Sequence, residues 1–188
     1  SGKGHSMNIL EDHVINGFRK RFLNITFPNV ARDHILKLAE RRSMIRHTKK
    51  DDEEISATNE FESMGPLLFA FDSGTTAAVK QMRHKLLMAN AGSMNFEMDE
   101  IGSNLLGNAD VLSSFLELYD MGKIKQKLVK STKENTRMED LTGSTPANMM
   151  LFGTPTKLLN GSKSEEEFYE MLETGYARRC FFGFNRHN

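Results

Sequence analysis

The chain has 188 residues and a mass of 21.3 kDa, is 38% apolar and 27% charged, and sets 25 basic residues against 25 acidic ones. That length suffices for one buried core, and the even charge argues against a surface that binds nucleic acid all over. A single cysteine, Cys180, excludes an intrachain disulfide and a cysteine-built zinc site; a lone thiol suits a reducing, intracellular setting.

No apolar run approaches the roughly 20 residues that cross a bilayer, so no membrane partner is expected. SGKGHSMNIL lacks the apolar centre of a signal peptide. The six histidines show no ligand spacing with the acids or with Cys180.

The first six residues, SGKGHS, admit two readings. One is a cloning remnant ahead of a native start at Met7. The other is the second half of a phosphate-binding loop, in which backbone N–H groups and a lysine hold phosphates ahead of a helix. Gly2, Lys3 and Gly4 then form the phosphate turn, and Ser6 supplies the Mg²⁺ hydroxyl that Gly4 does not.

Apolar residues at helical spacing (Ile9, Leu10, Val14, Ile15, Phe18, Phe22) predict a helix over Asn8–Phe22. Pro28 interrupts, and Ala31–His47 reads as a second helix. Thr48–Glu60 is polar and charged, and residues 48–64 are expected to form a solvated loop. Leu67–Phe71, after Gly-Pro, reads as a strand buried on both faces. A helix follows over 77–92, closed by Gly92, then a strand over Ser93–Glu100 and a helix over Asn104–Met121. Asn148–Phe152 is a third strand, Ser164–Thr174 an acidic helix, and Arg179–Phe184 a fourth strand. Strands alternating with helices predict an α/β domain with a mostly parallel sheet.

The strand MNFEM leads straight into Asp99 and Glu100. Ligands of open α/β sheets gather at the carboxyl ends of strands, and two carboxylates there suit a magnesium nucleotide. Asp99 would hold Mg²⁺, and Glu100 would take the proton of the attacking water. The plain reading is that both acids start the next helix, where acids are favourable. Lys123–Arg137 carries six cations against one acid, Glu134, and reads equally as a solvated loop or as a strip that follows phosphates.

Taken in order, the glycine turn with Lys3, the strand ending in Asp99-Glu100, the strand before GTPTKLL and the arginines in ETGYARRCFFGF resemble the P-loop ATPase domain of phage and mobile-element primase-helicases, a RecA/AAA-like group. The resemblance runs from Ser1 to about Phe184. It implies one partial P-loop NTPase domain over 1–188, a mostly parallel sheet flanked by helices and truncated before its first strand. It implies an ATP-hydrolysing helicase motor using ATP and Mg²⁺, moving on single-stranded nucleic acid as a homo-oligomer in the cytoplasm of a bacterial host.

By position, Lys3 matches the phosphate lysine, Asp99 and Glu100 the Mg²⁺-and-water pair, and Thr154 the polar sensor. Arg179, with Arg178 beside it, matches an arginine that acts across a subunit boundary. Two other readings stand beside it: a non-enzymatic α/β interaction domain complete from Met7, and a P-loop ATPase used in packaging or assembly.

Overall fold

The computed structural model describes residues 5, 8–71, 73–125 and 141–184. A long helical rod opens the fold. It contains a π-helical turn Glu11–Ile15, helix α1 (Asn16–Arg21), a second π-helical turn Phe22–Thr26, and helix α2 (Phe27–Arg46). Every junction between these pieces is right-handed helical backbone, so the rod is continuous. Pro28, expected to interrupt it, sits in the first turn of α2 directly after the second π turn. Proline lacks the N–H that an α-helix would use and its ring needs room one turn back; a widened turn at that point supplies the room.

His47, at φ 54°, ends the rod, and α3 (Lys50–Ser63) folds back along α2. Phe27, Ala31, Ile35, Leu38 and Ala57 fill the seam, with the Phe27 and Phe61 rings 5.8 Å apart.

The remainder is a small parallel sheet with helices on one side. Helix α4 (Thr76–Met88) precedes β1 (Met94–Met98); α5 (Ser103–Leu106) and α6 (Ala109–Met121) lead across to β2 (Ala147–Leu151). The strands pair in parallel, Met94 opposite Ala147 through Met98 opposite Leu151. A third segment lies on the other side of β1 through the bridge Ala70–Glu97, where Glu97 N–H donates to the Phe69 carbonyl at 2.7 Å. Met94, Phe96 and Met98 point into the core, where the Phe96 ring lies 5.2 Å from Phe115 of α6 and 5.3 Å from Phe71. The opposite sheet face carries Asn95, Asn148 and Met150, all exposed, and is crossed by the rod, whose Arg19 meets Glu97 at 3.2 Å. After β2 come α7 (Pro155–Leu158), α8 (Lys163–Met171) and a π-helical turn Leu172–Tyr176. The Tyr176 hydroxyl is buried and donates to the Leu112 carbonyl at 2.7 Å.

Gly122 terminates α6 in left-handed backbone at φ 63°, and its carbonyl accepts from Thr145 N–H at 2.8 Å, which starts the approach to β2. A β-carbon there would lie 2.0 Å from Ser144 Oγ and 2.8 Å from the Pro146 nitrogen. Gly122→Ala therefore combines strain with a clash against backbone. It is expected to cost about 2 kcal/mol, a drop of about 5 °C in the thermal midpoint.

Several sequence expectations are corrected. The α/β P-loop fold with a mostly parallel sheet is not what forms: the structure is mostly helical (62%), and among the described residues the sheet has two strands plus one bridge. Leu67–Phe71 is not buried on both faces, since Leu68 and Ala70 are exposed, so only Ala70 pairs. Residues 179–184 form no strand. Phe181, Phe182 and Phe184 are exposed, and a strand cannot form without a neighbour for its backbone groups. The expected loop over 48–64 is α3, with Asp51, Asp52 and Glu53 in the first turn, where the helix dipole favours acids.

Candidate functional site

The carboxyl end of the sheet carries Asp99 and Glu100, the acids expected from sequence, and Thr154, the expected sensor. Pairing continues one residue beyond the strands: Phe152 N–H donates to the Met98 carbonyl at 3.0 Å, and Ile101 N–H donates to the Phe152 carbonyl at 2.7 Å. This holds Asp99-Glu100 beside Phe152-Gly153-Thr154. A β-carbon at Gly153 would lie 2.9 Å from Ile101 Cγ2 and 2.5 Å from Leu158 Cδ1, so a larger residue there would make those side chains shift.

Thr154 precedes α7 in extended backbone, and its side chain does not cap that helix. Its carbonyl does, accepting from Lys157 N–H at 2.9 Å. Lys157, one turn into α7, reaches back so that Nζ lies 2.9 Å from Glu100 Oε1. Asp99 and Glu100 are both exposed. By register, Ser73-Gly74-Thr75 ends the bridged third segment on the same edge. Thr75 Oγ1 caps α4 by accepting from Ala78 N–H at 3.2 Å.

The other candidates lie elsewhere. Gly2, Lys3, Gly4 and Ser6 lie outside the described residues, as does most of Lys123–Arg137. Of that strip, Lys123 and Lys125 follow Gly122, and Lys125 N–H donates to Glu117 Oε2 at 2.7 Å.

Arg179 is at the opposite end of the sheet. Its Nε and Nη2 fork onto Asp120 at 2.7 and 2.5 Å, and its Nη1 donates to the Gly175 carbonyl at 2.9 Å. Asp120 is in the last turn of α6, whose first residues sit near Gly74 at the carboxyl end. A helix of that length spans about 18 Å, so Arg179 does not reach this chain's own acids. The Asp120 hydrogen bond holds the Arg179 guanidinium above its usual range, and the same bond holds the Asp120 carboxyl below its own. Arg178 lies beside it, against Gly175.

Among the described residues no group of three or more His, Cys, Asp or Glu side chains is arranged to hold a metal.

Two features were missed by sequence reasoning. Lys157 hides in GTPTKLL; its signal was its place three residues after Thr154, the expected sensor. The second is a buried cluster of Arg42, Glu60 and His84, one residue from each of α2, α3 and α4. Glu60 Oε2 accepts from Arg42 Nη1 at 2.7 Å, and Glu60 Oε1 lies 2.7 Å from His84 Nε2. Each residue belongs to a different helical pattern, and no spacing announces the meeting.

Compared with protein-family models, with curated proteins and with solved structures, the chain finds no match. Among the described residues no helix is long and apolar enough to cross a membrane.

Proposed function

We propose that the chain binds MgATP at the carboxyl edge of its parallel strands and hydrolyses it, as a motor domain of a phage-type helicase or primase-helicase. One observation carries the reading: the pairing that runs past β1 and β2 sets the Asp99-Glu100 pair against Thr154 on a single edge. In this reading the nucleotide would lie at the edge of a small sheet, where the sequence had suggested a broad one.

In this reading Asp99 holds Mg²⁺, directly or through water, and the metal supplies charge neutralisation at the phosphates. The Glu100 carboxylate accepts a proton from water as the water oxygen bonds to the γ-phosphorus. The bond from that phosphorus to the bridging oxygen breaks, ADP leaves with the electron pair, and inorganic phosphate is the second product. The Thr154 hydroxyl donates to a γ-phosphate oxygen or orients the water. Arg179 sits at the far end, so it would serve a neighbouring copy in a homo-oligomer. Lys123–Arg137 would follow the phosphates of single-stranded nucleic acid.

The test is calorimetric titration of the 188-residue chain with Mg²⁺ and a non-hydrolysable ATP analogue. Saturable binding that disappears with a chelator is expected. Asp99→Asn is expected to weaken it about tenfold or more.

Absence of binding would leave a second reading, a non-enzymatic interaction domain. That reading is favoured by exposed Phe181, Phe182 and Phe184 and by an apolar groove of about 350 Å³ between Phe18 of the rod and the open sheet face at Met150.

A further inference from the structure

We propose that Lys157 is a switching cation, paired with Glu100 in the free protein and transferred to the terminal phosphate when a nucleoside triphosphate binds. The inference rests on the hydrolase reading above and adds to it a residue and a resting state. Lys157 Nζ lies 2.9 Å from Glu100 Oε1, and the two side chains are 69% and 44% exposed.

An ion pair this exposed holds only weakly. Lysine is a compact charge on a flexible stem with three donors, so it reaches a new anion without moving the backbone. The ordered part is the backbone beneath it. The Phe152–Met98 and Ile101–Phe152 hydrogen bonds hold the backbone just ahead of α7 beside the acids, which leaves the lysine within side-chain reach of what the acids bind.

A triphosphate concentrates more negative charge than one carboxylate and therefore takes the cation. The exchange gives Lys157 a donor role at the phosphate.

A static partner and a switching one predict different patterns. If Lys157 only held Glu100 in place, its loss would lower kcat and spare KM. If it moves to the phosphate in both ground and transition states, its loss raises KM and spares kcat. The experiment titrates a magnesium complex of a non-hydrolysable ATP analogue, and ADP for comparison, into the 188-residue chain and four variants: Lys157→Met, Lys157→Arg, Glu100→Gln and the double variant of Lys157→Met with Glu100→Gln.

Lys157→Met is expected to weaken the triphosphate about tenfold and ADP by less than about threefold. Lys157→Arg is expected to recover most of the loss. Glu100→Gln is expected to tighten the triphosphate about threefold where Lys157 is present and not where it is absent, a coupling that only a shared lysine produces. In steady state, Lys157→Met is expected to raise KM with kcat held within about twofold.

Equal tightening by Glu100→Gln in both backgrounds, or a fall in kcat at unchanged KM, would overturn the switch while leaving the hydrolase reading intact. A wild-type chain that binds no triphosphate would remove the hydrolase reading and this one with it.

Discussion

Glu60→Ala is expected to lower the thermal midpoint by about 10 °C, the consequence of breaking a buried ion pair in a domain of this size. Glu60 is hydrogen-bonded to both Arg42 of α2 and His84 of α4. Arg42 is 3% exposed and His84 8%, so both polar groups are out of reach of bulk water. Removing the carboxylate takes from a buried guanidinium its Glu60 counter-charge. It also takes a partner from His84, whose Nδ1 already has none among the described groups.

The same cluster dictates a pH dependence. Burial alone would push the Glu60 carboxyl up. The hydrogen bonds from His84 and Arg42, with their charges, outweigh burial and bring it from 4.5 down to about 2. A carboxyl held down in the folded state contributes stability that is present above 4.5 and drains as pH falls toward about 2. Wild-type unfolding followed by circular dichroism is expected to show that loss, and Glu60→Gln to flatten it. A Glu60→Ala midpoint within 2 °C of wild type, on the order of a surface substitution, would mean that the helices are held by their apolar seam alone.

How much of this was legible in the sequence depends on whether the deciding contacts are local. β1 was legible because Met94, Phe96 and Met98 alternate with Asn95 and Glu97, and the strand indeed buries that alternate set. α6 was legible from its apolar stripe and ends in glycine as such helices do.

Residues 48–64 were not legible as a helix, because α3 buries only Glu53 and Ala57 and has almost no apolar face of its own. Its order comes from pairing with α2: Arg46 with Glu53 at 3.0 Å and Arg42 with Glu60 at 2.7 Å. Those partners are 7 and 18 residues apart, beyond any periodicity.

The segments at Leu67–Phe71 and Arg179–Phe184 looked like strands by composition. Whether a strand forms depends on a neighbouring edge, which composition does not contain. The candidate site divides the same way. Asp99-Glu100 and Thr154 each follow a strand, so a shared carboxyl edge was implied once the strands were read as parallel. Arg179 was expected to act across a subunit boundary; its place in this chain, on the end of α6 where Asp120 holds it, is a tertiary matter that no local pattern announces.

Glu100→Gln is expected to reduce ATP turnover about a thousandfold while the chain still binds MgATP. The substitution keeps volume and one acceptor but removes the site that takes a proton. If water is activated here, the loss should fall on kcat rather than on affinity. Glu100 is 44% exposed and lies outside the strands, so the variant should melt with wild type, and a thermal scan separates chemistry from folding.

Asp99→Asn makes the contrast. As a metal-holding carboxylate its loss should appear first in affinity and in the magnesium concentration needed for half-maximal rate. Single-turnover measurement with radiolabelled ATP reads the chemical step even if product release limits the cycle. Should Glu100→Gln retain turnover within about tenfold of wild type, a smaller loss than removal of a general base produces, the base would not be Glu100. The Lys157–Glu100 pair would then be an ordinary surface contact, and the weight of the molecule would shift to its exposed phenylalanines and the groove beside Met150.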